Sequence, residues 1–126
     1  MANQRVVVII NEQHTLMEDQ RRCIAAEPSD GQFETFAVPS NGYTYSEMLT
    51  IYDQFVAESK IETLTVIFVS PIPALLAMLA KYEGVTRENA RSPLEVKVLH
   101  NDSRIAKELP GGRIIHTVAP TGWRVV

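Results

Sequence analysis

The side chains of this chain that can do chemistry gather in four short polar clusters. They are Asn11-Glu12-Gln13-His14-Thr15, Ser40-Asn41-Gly42-Tyr43, Ser70-Pro71 and His100-Asn101-Asp102-Ser103-Arg104. The imidazoles of His14 and His100 can move a proton near neutral pH or donate to an anion. Ser70 offers a hydroxyl, and Arg104 with Lys107 brings positive charge that suits a phosphate. Asp102 can orient His100 or hold Arg104. Asn11, Thr15, Asn41, Asn101 and Ser103 add amide and hydroxyl groups able to contact a ligand. Each candidate also has a bland reading: His14 as a solvated loop histidine, Asn11 as a turn former, the Asn101-Asp102 pair as a simple turn. A Ser-His-Asp set can be drawn from Ser70, His100 and Asp102, but the Gly-x-Ser-x-Gly turn that presents such a serine is missing. His116 falls inside a predicted strand and reads as structural.

These clusters matter because each follows a predicted strand. Val6 to Ile10 is a continuous β-branched run, as expected of a strand buried on both faces. Thr15 and Glu18 have the spacing of a capping box, which starts a helix carrying Leu16, Gln20, Cys23 and Ile24 near one face. Gln20 on that face needs a partner, either a ligand or the backbone of the next loop, and Cys23 reads as a small core residue. Phe33 to Val38 is a second, wetter strand. Thr44 and Glu47 form another capping box ahead of a helix whose inward stripe is Met48, Leu49, Tyr52, Phe55 and Val56. Thr63 to Val69 is a third apolar strand. Ser70 is placed to cap, and Pro71 to begin, an apolar helix running to Glu83 with Gly84 at its end. The stretch Val85 to Pro93 reads as a polar loop, and Leu94 to Leu99 as a strand with one wet face. In the tail, Pro110-Gly111-Gly112 and Pro120-Thr121-Gly122 are turns, and Arg113–Val118 with Trp123–Val126 reads as a hairpin.

The pattern predicts one α/β domain: an open, mostly parallel, Rossmann-like sheet flanked by helices, with a C-terminal β hairpin. The apolar first and third strands belong in the middle, which gives the order 2-1-3-4. Such a sheet binds ligands outside the carboxyl ends of its strands, at the point where the strand order reverses. The His14 cluster and Ser70 are expected to face each other there, with the His100 cluster one strand further along.

Composition narrows the function. The 126 residues include 12 basic and 15 acidic side chains, a net charge of −3, which argues against a long nucleic acid held on a broad basic surface. The single cysteine, Cys23, builds no disulfide framework and points to a reducing cytoplasm. The apolar runs are too short for a signal peptide or a membrane span. Neither Gly-x-Gly-x-x-Gly nor Gly-x-x-x-x-Gly-Lys-Ser/Thr occurs, which disfavours a dinucleotide fold or a P-loop. Pro71 and Pro73 also remove two donors from any phosphate cradle behind Ser70. No local grouping has metal-site spacing, so no metal or cofactor is expected.

The opening strand followed by His14-Thr15-Leu16 and Gln20, a His-x-Leu-x-x-x-Gln pattern, then strand, helix and apolar third strand, resembles small CRISPR-associated Rossmann-like proteins. Some of these bind or degrade cyclic oligoadenylates and are called ring nucleases. The layout covers most of the chain; the motif covers His14 to Gln20. The resemblance implies a homodimer whose paired strand-end edges hold one ring-shaped nucleotide. It also implies metal-independent cleavage by a ribose 2′-hydroxyl, with His14 and Gln20 at the family's histidine and glutamine. A non-catalytic domain that senses or sequesters a nucleotide through the same edge is the alternative, and a small hydrolase using Ser70 is a third reading.

Overall fold

The computed structural model describes residues 4–28, 30–87 and 93–126, without the side chains of residues 86, 87, 104 and 118. In chain order the elements are β1 (Gln4–Asn11), α1 (Glu18–Ala25), β2 (Glu34–Val38), α2 (Tyr45–Ser59), β3 (Thr63–Phe68), α3 (Pro73–Arg87), β4 (Leu94–Asn101), β5 (Arg104–Glu108), β6 (Ile114–Val118) and β7 (Trp123–Val125). The main sheet runs β2-β1-β3-β4-β7. Its first four strands are parallel, and β7 returns antiparallel along the end of β4. The expected order 2-1-3-4 is the one found.

Burial explains it. Val6 to Ile10 of β1 and Leu64 to Phe68 of β3 are buried throughout, so both strands need neighbours and cover on both faces. Alternate residues feed two cores. Val7, Ile9, Val66 and Phe68 pack with Phe55 of α2 and with Leu75 and Leu79 of α3. Val6, Val8, Ile10 and Ile67 pack with Leu16, Ile24 of α1 and Leu99 of β4. A fully buried Leu, Ile or Phe contributes roughly 1.5–3 kcal/mol. The paired rings Phe36 and Phe55 meet edge-on at 5.5 Å, which pins α2 beneath β2.

Local signals are part met and part displaced. The Thr44 box forms as expected: Glu47 N donates to Thr44 Oγ1 at 3.2 Å and Thr44 N to Glu47 Oε1 at 2.8 Å. The α2 stripe is shifted, with Ile51 and Phe55 buried and Leu49 exposed. At α1 the expected Thr15–Glu18 box is replaced by a start at Glu18, after Met17, whose N–H donates to Gln20 Oε1 at 2.8 Å. Helix α3 begins at Pro73, not Pro71, and Ser70 does not cap it. Proline suits that first position, where no intrahelical donor is needed. Gly84 lies inside α3, which continues to Arg87, so residues 85–87 are helix where a loop was expected; the rest of that stretch to residue 92 lies outside the described residues. Nor is α3 covered all round: Leu75 and Leu79 are buried, while Ala74, Ala77 and Ala80 are exposed.

The tail departs most. The hairpin is made by β5 and β6, not β6 and β7. The polar His100–Arg104 stretch is therefore the end of β4, a two-residue link and the start of β5, while β7 completes the main sheet.

Candidate functional site

At the carboxyl ends of β1 and β3 the two strands are tied together beyond their ladder. Val69 N and Ser70 N both donate to Ile9 O, at 2.9 and 3.2 Å. Ser70 Oγ then accepts from Asn11 N at 2.7 Å, so a hydroxyl does the work of the next backbone carbonyl. One strand over, Glu12 N donates to Val38 O at 2.8 Å. The Glu12 carboxylate accepts from Ser40 N at 3.1 Å and from Ser40 Oγ at 2.9 Å. These donors, the backbone N–H foremost, hold the Glu12 carboxyl below its ordinary value. The turn Pro39–Gly42 closes with Gly42 N on Pro39 O at 2.9 Å, and Gly42 has φ 79°, a conformation that favours glycine. Tyr43 Oη donates to Ala37 O at 3.3 Å. Burial, then the Glu47 charge, pushes its phenol upward.

Between these ties lies an open cleft of about 450 Å³, walled by Asn11, Ser40, Tyr43 and Ser70 among others, with Ile72 and Pro73 at the mouth of α3. The start of a 15-residue helix thus borders the cleft with its positive dipole end, and Leu76 N of its first turn donates to Ile72 O at 2.9 Å. Pro71 and Pro73 supply no N–H.

The β1–α1 connection turns away. Asn11 Oδ1 accepts from Gln13 N at 2.9 Å, and His14 N donates to Asn11 O at 2.9 Å, which makes a tight turn. His14 and Thr15 are exposed, and neither borders the cleft. Asn41 is exposed at the tip of its turn and also stands outside the lining. Gln20 is 2% exposed, and its carbonyl oxygen accepts from Met17 N, backbone at the start of its own helix and not of the next loop.

The end of β4 forms a separate group. His100 Nε2 lies 3.1 Å from Asp102 Oδ1, and Arg124 Nη1 of β7 lies 3.1 Å from Asp102 Oδ2, all three side chains being about half exposed or more. Among the described residues Asp102 thus faces both His100 and Arg124; the expectation that it holds Arg104 falls on a side chain outside them. Asn101 is different: it is 4% exposed. Its Nδ2 donates to Ala119 O at 2.9 Å and Thr121 O at 3.1 Å, and its Oδ1 accepts from Ser103 N at 2.6 Å. Its amide thus fastens the returning tail. Lys107 is exposed on β5, and the Arg104 side chain lies outside the described residues. Cys23 Sγ donates to Trp123 O at 2.9 Å, tying α1 to β7.

The structure therefore brings Asn11 and Ser70 together with Ser40 and Tyr43, and gathers His100 and Asp102 with Arg124. It does not close a Ser70-His100-Asp102 hydrogen-bonded set among the described residues: Ser70 Oγ accepts from Asn11 N, and His100 Nε2 faces Asp102. Sequence reasoning placed Glu12 and Tyr43 in polar clusters but gave them no role. The signal was there for Glu12, since a carboxylate one residue past a strand end can reach the serine past the next. Arg124 carried no such signal, because its approach depends on β7 returning to β4.

A second cleft, of about 380 Å³, opens at the other end of the sheet beside Arg5, Asp30, Glu34 and Glu62. There Arg5 is held between Glu34 and Glu58, so its charge is spent within the fold. Among the described residues no group of three or more His, Cys, Asp or Glu stands where it could hold a metal ion. No helix among them is long and apolar enough to cross a membrane. Comparison with protein-family models, curated proteins and solved structures finds no match.

Proposed function

We propose that this chain binds a cyclic oligoadenylate, taken as cyclic tetra-adenylate, at the strand-end edge of its sheet and opens the ring without a metal. The observation that supports this reading is the cleft at the ends of β1, β2 and β3, walled by Asn11, Ser40, Tyr43, Ser70 and the mouth of α3. Open parallel sheets take ligands at this position. Hydroxyl and amide groups suit ribose and base edges, the Tyr43 ring suits a base face, and a helix N-terminus suits a phosphate. The His14-to-Gln20 segment leaves the same strand end.

The cleft lining holds no histidine, so its contribution to chemistry is alignment. The ribose 2′-oxygen bonds to the adjacent phosphorus as the bond from phosphorus to the 5′-oxygen breaks. The proton leaving the 2′-hydroxyl is matched by one gained at the 5′-oxygen. The product is a linear oligoadenylate ending in a 2′,3′-cyclic phosphate. Holding these atoms in line raises the rate by proximity, and the helix end stabilises charge on the phosphate. His14, exposed beside the strand end, is assigned the proton transfer; the His100–Asp102 pair is the second candidate. A four-nucleotide ring exceeds one such cleft, so the reading includes a homodimer that faces two edges across a two-fold axis. A lone, internally bonded Cys23 accords with a cytoplasmic setting for such a ligand.

The second reading is sequestration without turnover, favoured by the absence of a histidine or carboxylate from the cleft lining. Incubation with cyclic tetra-adenylate, followed by chromatography of linear products beside calorimetric binding, decides. Cleavage that falls about 100- to 10,000-fold in His14→Ala with binding retained supports the first reading. Tight binding with no product supports the second. No binding to wild type defeats both.

A further inference from the structure

The geometry points to β6 as the strand through which two copies of this chain join. We infer that β6 pairs antiparallel with β6 of a second copy across a two-fold axis, making one four-stranded sheet from two hairpins. The inference rests on the hairpin alone and stands apart from the ring-binding reading.

Three observations carry it. The first is that the hairpin lacks cover. Among the described residues neither β5 nor β6 packs extensively on any element but the other. Ile105 is 47% and Ile114 63% exposed. A lone two-stranded hairpin is marginal in water and needs further strands or a covering layer.

The second is the contrast among sheet edges. On β2 the Tyr43 hydroxyl occupies Ala37 O. On β4 the Glu83 carboxylate accepts from Val96 N at 3.1 Å, and the returning tail covers Val98 to Asn101. On the hairpin, β5 carries Arg104, Lys107 and Glu108, charges of the kind that blunt an edge. Strand β6 reads Ile-Ile-His-Thr-Val, with no Lys, Arg, Asp, Glu, Pro or Gly.

The third is which backbone groups face outward. Leu109 N donates to Arg113 O at 2.6 Å, so that pair is hydrogen-bonded. Antiparallel pairs alternate. Lys107 with Ile115 and Ile105 with Thr117 then share the ladder, in the observed register. Ile114, His116 and Val118 turn their N–H and C=O groups outward, and among the described residues these have no backbone partner beyond β5. Self-pairing centred on His116 sets Ile114 opposite Val118 of the second copy and satisfies all three at once. A two-fold axis requires just such self-complementarity.

The test is sedimentation velocity of the full chain at micromolar concentration, without nucleotide, with circular dichroism to verify folding. Wild type is expected to be a dimer. His116→Pro removes an outward N–H and no ladder bond, and His116→Lys sets like charges against each other. Each is expected to weaken dimerisation about 100-fold or more while keeping the wild-type spectrum. Ala106→Pro, at the corresponding outward position of β5, is expected to remain dimeric. A monomeric wild type overturns the inference. So does dimerisation unaffected by His116→Lys, or a loss confined to Ala106→Pro. Because no nucleotide is present, the outcome is independent of whether the strand-end cleft binds a ring.

Discussion

Asn11 and Asn101 each end a parallel strand of one sheet and each begin a polar run, yet they do opposite things. Asn11 is partly exposed, and among the described residues its Oδ1 bonds to Gln13 N, two residues on. The chain then leaves for α1, and the strand end stays open above the cleft. Asn101 is buried, and its amide binds three backbone groups of the link and the returning tail. What differs is the destination of the chain. Where it departs into a helix, polar groups are left for solvent or ligand; where it folds back as β7, the same groups are consumed in holding it. A dense polar stretch therefore marks a strand end, and the route of the following chain decides whether that end can bind anything.

The sharpest way to break this comparison is to truncate both asparagines. Asn101→Ala strands the buried Ala119 carbonyl and takes the amide from Thr121 O and Ser103 N as well, and should cost about 2–4 kcal/mol. Asn11→Ala loses one turn bond in a wetter place and should cost under about 1 kcal/mol. Urea unfolding of both variants checks this; equal losses would mean that Asn101 is not the tail's fastening. Next in size is Gly122→Ala. Gly122 has φ 88°, and an added Cβ would lie 2.5 Å from Ser103 Oγ, beside the Asn101 carbonyl. A loss of about 1–3 kcal/mol in the same assay is expected, with β7 loosened from β4.

The central architecture was legible because it rests on long, regular signals. Unbroken β-branched runs at Val6–Ile10 and Thr63–Val69 need neighbours on both sides, and that need alone orders the first four strands. The Thr44–Glu47 box was legible for a similar reason, since both partners sit within one turn. Boundaries failed where a distant group competed for the local signal. Ser70 has the type and place of a helix cap, but Asn11 N, 59 positions away, takes its hydroxyl. Thr15 lost its cap to Gln20, whose buried carbonyl outcompetes it for the helix start. The tail was misread because pairing β7 with β4 depends on three-dimensional return, which short strands cannot signal. Of the candidate site, the strand-end edge was legible, whereas the division of its residues into a cleft and a fastening was not.

On the cleft side the expected effects are smaller, and they sharpen the contrast. Ser70→Ala removes the acceptor for Asn11 N at a partly buried position, so a loss of about 1 kcal/mol is expected. Because the bond joins β1 to β3 at the cleft wall, amide exchange should rise at Asn11 and stay unchanged at Asp102, whose N–H bonds Gly122 O on the other side of the comparison. Faster exchange at both sites would mean that the two strand ends move as one unit.

The smallest effect is a matter of pH. Glu12 is a surface carboxylate whose folded-state value is depressed from an ordinary 4.5 by the Ser40 N–H and hydroxyl. A depressed carboxyl binds its proton less readily in the folded chain than in the unfolded one. Its contribution is therefore complete above about pH 4.5 and is lost as pH falls through the folded value. The Ser40 amide resonance should follow this titration with a midpoint below 4.5 in the wild type, and should cease to titrate there in Glu12→Gln. Stability of wild type and variant should differ most above that range and converge below it. Exposure to solvent keeps the difference small, since screening weakens any surface bond to a charge. A Ser40 amide that titrates at or above 4.5 would show that the clamp joining β1 to the β2–α2 turn does not form in solution, and the cleft would then lose one of its fixed walls.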